Sequence, residues 1–309
     1  MSGSMIPPAE LAGLLGPAPA AGTVRPVVLD VRWRLVGPPG RADHDAHRIP
    51  GAVFVDLDTE LSAGPARPGP GGRHPLPEPA ALQEVLRRAG IRDEAGDQLV
   101  VAYDDLDGSV AARAWWLLRW AGVAPGRVRV LDGGFAGWQA ARLPVAGTGP
   151  GAGTPEPEPL PPGDLVVRPG GMPVVDADGA AALARDGVLL DARAAARFRG
   201  ETEPVDPRAG HVPGARSTPA AANTGPDGRW QPAGTLAERF RAAGVAPGVA
   251  TGAYCGSGVN ACALVLALEE SGLTTPDAPA ALYPGSWSEW SADPDRPAET
   301  GDRPWAARE

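Results

Sequence analysis

The sequence contains very little sulfur. Cys255 and Cys262 are the only cysteines among 309 residues, which are too few for a disulfide framework. If a helix follows Cys255, the two Cα atoms lie about 10 Å apart, at a rise of about 1.5 Å per residue, beyond the reach of a disulfide bond. The chain also has no Cys-x-x-Cys pair and no His/Cys cluster with zinc spacing. These absences predict a reduced, cytoplasmic protein without a metal site.

Positive charge and long apolar runs are scarce as well. The formal net charge is -9, which argues against nucleic acid or an anionic membrane surface as a partner. No run approaches the roughly 20 apolar residues of a membrane span. The first twenty residues lack the basic start and apolar core of a signal peptide. We therefore expect a soluble protein with neither a nucleic-acid nor a membrane partner.

Hydrophobic residues, glycine and proline are plentiful. Hydrophobic residues make up 43% of the chain, enough for packed cores, while 42 glycines and 37 prolines indicate many turns and connectors. A chain of 309 residues is long for one domain, so two domains are the default expectation.

The two halves of the chain resemble each other. Four blocks occur in the same order in both halves, and Asp104 in the first copy corresponds to Cys255 in the second. This pattern indicates a duplication at the scale of a domain, because solenoid repeats are far shorter. The first-half blocks are VVLDVRW (27–33), AHRIPGAVFVDLD (46–58), LVVAYDDLDGSVAARAWWLLRWAGV (99–123) and VRVLDGGFAGWQAA (128–141); the second-half blocks are GVLLDAR (187–193), AGHVPGARSTP (209–219), ATGAYCGSGVNACALVLALEESGL (250–273) and ALYPGSWSEW (281–290).

A segment rich in Gly, Pro and Glu separates the halves. It reads VAGTGPGAGTPEPEPLPPGDL and has almost no large apolar residues, which is typical of a linker. We therefore predict an N-terminal domain over residues 1–145, a linker over 146–168 and a C-terminal domain over 169–309.

Short apolar runs alternate with helical patterns in each half. VVLD, QLVVAYD and VRVLDGG are typical of buried strands. PAALQEVLRRAGI and AARAWWLLRWAGV are typical of helices that end at Gly90 and Gly122. This alternation predicts an α/β fold, with a mainly parallel sheet and helices on both faces of it. Ligands of such folds bind beyond the carboxyl ends of the strands, where the segment around Cys255 is expected to lie.

The stretch AYCGSGVNAC (253–262) places Cys255 on a glycine loop before a helix-like run. Gly256 and Gly258 would let several backbone amides converge on the sulfur, at the positive end of the helix dipole. Such amides stabilise a thiolate. We therefore expect the loop to expose and activate Cys255, although a small buried core residue is the alternative. Cys262, which faces the apolar run, is expected to be plain core.

The loop CGSGVNA resembles the active-site loop of the two-domain rhodanese family, and within it the loop of the 3-mercaptopyruvate sulfurtransferases. The resemblance covers nearly the whole chain. It includes GHVPGA at Gly210, HRIPGA at His47, DARAAARFRG at Asp191, LDGGFAGW at Leu131 and YPGSWSEW at Tyr283. It implies two rhodanese-like domains, of which only the C-terminal one is catalytic. A carboxylate cannot accept sulfane sulfur, so the copy with Asp104 should be inactive.

The resemblance also implies a ping-pong reaction. The Cys255 thiolate would take sulfur from 3-mercaptopyruvate, release pyruvate and pass the sulfur from a persulfide to an acceptor. The acceptor would be cyanide or a thiol, such as thioredoxin or a low-molecular-weight thiol. No metal or organic cofactor is needed. Because Gly256 and Ser257 leave the loop uncharged, mercaptopyruvate is favoured over thiosulfate, the dianion used by relatives with charged loops.

Further site residues follow from the same resemblance. Arg197 and Arg208 match the two arginines that bind the substrate carboxylate and ketone. Ser257, His74 and Asp58 match a relay that protonates the departing enolate, its histidine and aspartate coming from the N-terminal domain. The remaining loop positions that contact the substrate are Gly256, Gly258, Val259 and Asn260. Asn260 replaces the usual threonine, and we expect it to tune activity without abolishing it.

Other functions fit the sequence less well. A cysteine phosphatase needs an arginine in the loop after its cysteine, and this loop has none. A thiosulfate:cyanide sulfurtransferase and a persulfide carrier that does not turn over stay open as alternatives. Turnover with pyruvate release would separate the enzyme from a carrier that is loaded once.

Overall fold

The structure is a computed structural model that describes residues 3–16, 24–35, 37–64, 71–93 and 98–302. Contacts between Cα atoms divide the chain into two compact units. The first comprises Met1–Ser62, Pro77–Gly171 and Thr224–Trp230. The second comprises Ala63–Leu76, Met172–Asn223 and Gln231–Glu309. No helix among the described residues is long and apolar enough to cross a bilayer.

The first unit contains a parallel sheet of five strands in the order β1-β5-β4-β2-β3. The predicted strands and helices form where their patterns indicated, and Gly90 and Gly122 follow two helices with φ of 88° and 95°. The elements are β1 Met5–Ile6, α1 Pro8–Leu15, β2 Val27–Asp30, α2 Gly40–Ala46, β3 Val53–Phe54, α3 Pro79–Arg88, β4 Val100–Tyr103, α4 Ser109–Trp120, β5 Val128–Leu131 and α5 Gly134–Ala140.

The second unit contains a parallel sheet of four strands in the order β7-β6-β8-β9. Its central strands β6 and β8 pair as β2 and β4 do in the first unit, which agrees with a duplication. The elements are α6 Ala177–Asp186, β6 Val188–Asp191, α7 Ala195–Phe198, β7 Arg216–Ser217, α8 Ala233–Ala242, β8 Thr251–Tyr254, α9 Asn260–Glu270, β9 Ala281–Leu282 and α10 Ser286–Trp290. The predicted fold class, parallel sheets flanked by helices, is confirmed.

A buried Asp-x-Arg pair repeats after the corresponding strands of the two units. Arg32 lies 2.6 Å from the carboxylate of Asp30, and Arg193 lies 2.6 Å from that of Asp191. Each arginine also donates to a backbone carbonyl beyond the next helix, Arg32 to His47 O and Arg193 to Gly210 O. Paired in this way, the buried charges tie a loop to a strand end. The repeated DVR and DAR motifs therefore have a structural explanation.

The segment that we predicted as a linker contains no helix or strand. It packs along the first unit, where Gly163 N–H donates to Arg87 O at 2.7 Å and Arg168 N–H donates to Ala121 O at 2.8 Å. Leu165 is buried within it. The boundaries of 1–145, 146–168 and 169–309 stay predictions.

Candidate active site

The loop that follows β8 is held by the first turn of α10. The amide of Cys255 donates to Ser286 Oγ at 3.1 Å. The carbonyls of Cys255 and Gly256 accept hydrogen bonds from the amides of Trp287 and Ser288, both at 3.0 Å. These bonds explain why the YPGSWSEW motif accompanies the cysteine loop, since it supplies the groups that fix the backbone of that loop.

Gly258 gives the loop its curvature. Its φ is 80°, and a Cβ atom at this position would lie 2.5 Å from Pro284 O. In this conformation the Gly258 amide donates to Cys255 Sγ at 3.1 Å. A glycine is therefore required both for the left-handed backbone and for the close approach to Pro284.

Gly258→Ala is expected to lower the free energy of unfolding by at least about 3 kcal/mol, because a left-handed alanine costs about 1–2 kcal/mol and the contact with Pro284 adds strain. Gly272→Ala is the matched control, because Gly272 has a φ of 73° and open space around its Cβ position. Urea unfolding of both variants measures the difference. Equal losses would show that the contact with Pro284 costs nothing.

The environment of Cys255 differs from the prediction in two respects. The residue is 2% exposed, so the expectation of an exposed thiol is wrong. Among the described residues one amide, that of Gly258, donates to the sulfur, where we expected several. The surroundings are nevertheless polar, because the guanidinium groups of Arg73 and Arg197 lie over the adjacent Gly256. Cys262 is completely buried, as predicted, and its thiol donates to Gly258 O at 3.3 Å.

Ser257 and His74 are brought together in the second unit. The Ser257 hydroxyl and His74 Nδ1 lie 2.7 Å apart, and the side chains are 9% and 6% exposed. We had assigned His74 to the N-terminal domain, but its segment, Ala63–Leu76, belongs to the second unit. Asp58 lies in the first unit, where its carboxylate accepts a hydrogen bond from Trp33 Nε1 at 2.9 Å. Its place in a relay stays a prediction.

Arg197 is one of two arginines beside the loop. Its Nη2 donates to Glu203 at 2.7 Å and to Asp206 at 2.9 Å. Arg73, which the sequence analysis missed, forms an ion pair with the other oxygen of Asp206. Burial raises the pKa of Asp206 above its ordinary value, although the charges of Arg73 and Arg197 oppose this shift. The signal available in the sequence was the position of Arg73 directly before His74.

Arg208 requires a correction. Its guanidinium donates to three backbone carbonyls, those of Trp290, Asp293 and Arg296, at 3.2, 3.2 and 2.7 Å. An arginine whose donors are used in this way fastens the turn after α10 and has few left for a substrate. The structure therefore does not support the interpretation of Arg208 as a substrate arginine.

The last two loop positions differ in exposure. Val259 is buried at the end of the loop, and Asn260 is exposed at the first residue of α9. No described residue forms a hydrogen bond with the Asn260 side chain. The effect of Asn260 on activity stays a prediction.

The corresponding loop of the first unit holds a carboxylate. Asp104 follows β4 as Cys255 follows β8. Its Oδ1 accepts hydrogen bonds from the amides of Leu106 and Gly108, both at 3.1 Å, and its Oδ2 from those of Val110 and Ala111, both at 3.0 Å. Converging amides at a helix start form an anion site. In this copy the side chain of the protein itself occupies that site.

Asp104 is expected to make the stability of the protein depend on pH. Burial raises its pKa from 3.8 to about 6, even though the amides of Ala111, Leu106 and Gly108 lower it. The native state therefore binds the proton more tightly than the unfolded state, and stability falls as pH rises from about 4 to about 6. The expected loss from this group is about 3 kcal/mol.

The test compares urea unfolding of the wild type and Asp104→Asn across this pH range. The asparagine amide faces backbone donors, so the variant should be less stable throughout, but it should lack the decline between pH 4 and 6 that is due to Asp104. Parallel curves for the two proteins would contradict the prediction.

Comparison with known proteins agrees with this arrangement. The family model for the rhodanese-like domain matches residues 9–141 and 176–293, more than half of the chain. A Pseudomonas aeruginosa protein named "Probable 3-mercaptopyruvate sulfurtransferase" is 47% identical over 280 residues, 89% of this chain and 93% of that protein. A Mycobacterium tuberculosis protein, provisionally named a thiosulfate sulfurtransferase, is 42% identical over 302 residues, 96% of this chain and 97% of that protein.

A solved structure shows the same relationship. The crystal structure of the 3-mercaptopyruvate sulfurtransferase SseA from Escherichia coli is 28% identical, with a TM-score of 0.72, and the match covers 93% of this chain and all of SseA. The chain therefore belongs to the rhodanese family of sulfurtransferases, with two rhodanese-like domains in tandem.

Proposed function

We propose that this protein transfers sulfane sulfur from 3-mercaptopyruvate, through a persulfide on Cys255, to a thiol or cyanide acceptor and releases pyruvate. The observation that supports this donor most strongly is the hydrogen bond of 2.7 Å between Ser257 and His74. Ser257 lies two residues after Cys255 in the chain. A mercaptopyruvate reaction needs a proton for its leaving group, and this pair can supply one.

In the first step the Cys255 thiolate attacks the sulfur of the donor. A sulfur–sulfur bond forms and the carbon–sulfur bond of mercaptopyruvate breaks. Its electron pair stays on carbon as the pyruvate enolate. The Gly258 amide, 3.1 Å from Cys255 Sγ, stabilises the negative charge on the attacking sulfur. Because Cys255 is 2% exposed, the donor has to enter past the side chains that cover it.

In the second step the enolate takes a proton and becomes pyruvate. Ser257 is the proposed donor of that proton, and His74, whose Nδ1 lies 2.7 Å from the hydroxyl, replaces it. We keep Asp58 as the proposed group that orients His74, by analogy with the relay of the family. Ser257 and His74 are both buried and therefore shielded from bulk water, which would otherwise compete for their hydrogen bond.

The carboxylate of the donor is the proposed partner of Arg197. A guanidinium group binds a carboxylate through two parallel hydrogen bonds, and Arg197 lies beside Gly256 at the start of the loop. The backbone of Gly256, Gly258, Val259 and Asn260 forms the rest of the proposed contact surface.

Return to the resting enzyme requires an acceptor. A thiolate or cyanide attacks the outer sulfur of the persulfide and takes it, and the Cys255 thiolate leaves. The proposed thiol is thioredoxin or a low-molecular-weight thiol. The cytoplasm is the proposed compartment, because both cysteines are free and a reducing compartment maintains the thiol.

Thiosulfate is the second candidate donor. The relative from Mycobacterium tuberculosis, 42% identical, bears the name of a thiosulfate sulfurtransferase, and the two arginines beside the loop would also suit a dianion. Sulfite leaves thiosulfate without needing a proton, so this reaction would leave the Ser257–His74 pair without a purpose.

The deciding experiment compares kcat/KM for mercaptopyruvate and thiosulfate with one thiol acceptor. We expect mercaptopyruvate to be preferred at least about tenfold, with many pyruvate molecules released per protein. A preference for thiosulfate would support the second candidate. Release of one pyruvate per protein, with no further turnover in the presence of acceptor, would support a persulfide carrier.

A further inference from the structure

The segment that carries the proposed relay histidine is attached to α10 by two side chains. We call residues 71–74 the histidine segment, which has no helix or strand of its own. The Gly71 amide donates to Glu289 Oε1 at 2.8 Å, and the Arg73 amide donates to Ser288 Oγ at 3.1 Å. The acceptors lie 218 and 215 residues away in the sequence. The histidine segment therefore takes its position from two consecutive residues of a helix.

We propose that Ser288 and Glu289 are positioning residues for proton transfer. They hold the histidine segment against α10, so that His74 reaches the hydroxyl of Ser257. They act through the histidine and are not proposed to contact the donor. This inference rests on the proposed function, because the proton that His74 replaces belongs to the mercaptopyruvate reaction.

Ser288 connects the cysteine loop with the histidine segment. Its amide donates to Gly256 O at 3.0 Å. Its hydroxyl donates to Gly285 O at 3.1 Å and accepts the hydrogen bond from the Arg73 amide. Because the hydroxyl proton is used on Gly285, the oxygen presents a lone pair to Arg73. The residue is 1% exposed, so water does not compete for these bonds. Ser288 therefore fixes the backbone beside the proposed nucleophile and the backbone beside the histidine.

Close packing holds the histidine segment between its two hydrogen bonds. Gly72 has a φ of 73°, and a Cβ atom there would lie 2.3 Å from Gly285 O and 2.7 Å from Ser288 Oγ. A glycine is therefore needed both for the left-handed backbone and for the approach to α10. With its first three residues against α10, the segment places His74 Nδ1 at 2.7 Å from Ser257 Oγ.

The first unit allows a comparison within the same chain, because its α5 corresponds to α10. The Phe135 amide donates to Asp104 O at 2.8 Å, as the Trp287 amide donates to Cys255 O at 3.0 Å. Each helix thus fixes the residue that follows the corresponding strand, β4 or β8. The backbones of the two helices therefore serve the same purpose in the two copies.

The side chains of the two helices differ at the two positions that hold the histidine segment. Ala136 and Gly137 stand where α10 has Ser288 and Glu289. Neither alanine nor glycine has a side-chain acceptor for a backbone amide. The copy with a carboxylate in place of the cysteine thus lacks both acceptors, although it keeps the helix. The two acceptors are therefore dispensable for the strand–loop–helix fold, and they occur in the copy that carries the cysteine.

Steady-state kinetics of variants in α10 tests the proposal. Glu289→Ala should lower kcat for mercaptopyruvate about 10- to 100-fold, because a hydrogen bond to a charged group is lost and a small displacement of a proton-transfer group has a large effect. Ser288→Ala loses a hydrogen bond between neutral groups, so its kcat should fall about 3- to 10-fold. A kcat of Glu289→Ala equal to that of the wild type would overturn the proposal.

Two further variants serve as controls. Glu289→Gln keeps a side-chain oxygen that can accept from the Gly71 amide, so its kcat should stay within about fivefold of the wild type. Ser291→Ala is the matched control for Ser288→Ala. Ser291 is a buried serine directly after α10, and its hydroxyl has no hydrogen-bond partner among the described residues. Its replacement should leave kcat unchanged.

A double variant separates positioning from general damage. Because Glu289 is proposed to act through His74, the variant with both Glu289→Ala and His74→Ala should have a kcat within about threefold of that of His74→Ala alone. A purely structural role would lower kcat in both backgrounds. Losses that multiply in the double variant would therefore overturn the proposal.

If circular dichroism shows that Glu289→Ala does not fold, Gly72→Ala takes its place. The added methyl group pushes the histidine segment away from α10 while both acceptors remain, so kcat should fall at least about tenfold. Gly64→Ala is the matched control, because Gly64 has a φ of 93° and open space around its Cβ position. It adds the same backbone strain without a contact to α10. Equal kcat values for the two glycine variants overturn the proposal.

Chemical modification of His74 tests the positioning separately from the proposed function. Diethyl pyrocarbonate acylates accessible imidazole nitrogens, and peptide mass spectrometry distinguishes His74 among the four histidines of the chain. In the wild type His74 is 6% exposed and should react slowly. Glu289→Ala should raise its rate about tenfold, while the buried His211 should react as before. An unchanged rate at His74 refutes the positioning, whereas a wild type without mercaptopyruvate turnover refutes the proposed function.

Discussion

Cys255→Ser should lower sulfur transfer at least about 10⁴-fold, to the detection limit, with either donor and without loss of the fold. A serine hydroxyl is a far weaker nucleophile than a thiolate at neutral pH and forms no persulfide. The substitution keeps the size of the side chain nearly constant, and the Gly258 amide can donate to oxygen as it donates to sulfur. Pyruvate release and intact-mass detection of one added sulfur atom measure the loss.

Cys262→Ala is the control for this experiment. Cys262 is the only other cysteine in the chain, it is completely buried on α9, and its thiol donates to Gly258 O. The variant should lose about 1–2 kcal/mol of stability and still accept one sulfur atom. Sulfur uptake by Cys255→Ser and its absence from Cys262→Ala would exchange the roles that we assign to the two cysteines.

The burial of Cys255 shows where prediction from the sequence ends. The loop and its place after a parallel strand were predictable, because short motifs specify the local backbone. The hydrogen-bonded Ser257–His74 pair was predictable because the family resemblance links these two residues, which are distant in the sequence. Exposure depends on what packs over a loop, and two groups from other parts of the sequence, the guanidinium groups of Arg73 and Arg197, lie over Gly256 beside Cys255. An exposed thiol was therefore a natural but wrong expectation.

Arg208 and Arg73 illustrate the same limit of prediction from the sequence. Arg208 was assigned from the family resemblance, yet its guanidinium donates to the carbonyls of Trp290, Asp293 and Arg296. Arg73 has no motif of its own, and only the contact of its segment with α10 reveals its position. Spacing along the chain indicates which residues share a segment. It does not indicate the direction in which a long arginine side chain extends.

The duplicated fold makes two uses of the same strand–loop–helix geometry. After β4 the loop amides bind the carboxylate of Asp104, four hydrogen bonds in all. After β8 the corresponding loop presents the Gly258 amide to the sulfur of Cys255. The first loop is filled by its own anion and has no capacity for sulfur. A single residue difference at the end of the strand is thus the physical reason why we expect the first copy to be inactive.

Ser257→Ala and His74→Ala should each lower kcat for mercaptopyruvate about 10²- to 10³-fold and lower thiosulfate turnover by less than about tenfold. The enolate from mercaptopyruvate needs a proton, whereas sulfite leaves thiosulfate without one. Because the two side chains share one hydrogen bond of 2.7 Å, they should act as a unit. The double variant should then lose little more than either single variant.

His211→Gln is the control that separates proton transfer from general damage. His211 is a buried histidine of the same unit, its Nδ1 lies 2.7 Å from Phe198 O, and burial lowers its pKa. Its replacement should lower Tm and leave the ratio of mercaptopyruvate to thiosulfate turnover unchanged. If Ser257→Ala and His74→Ala lowered both reactions equally, the pair would hold the loop in place without delivering a proton. Because the donor ratio cancels any loss of folded protein, a fall in that ratio confined to these two variants can only come from the step that mercaptopyruvate has and thiosulfate lacks.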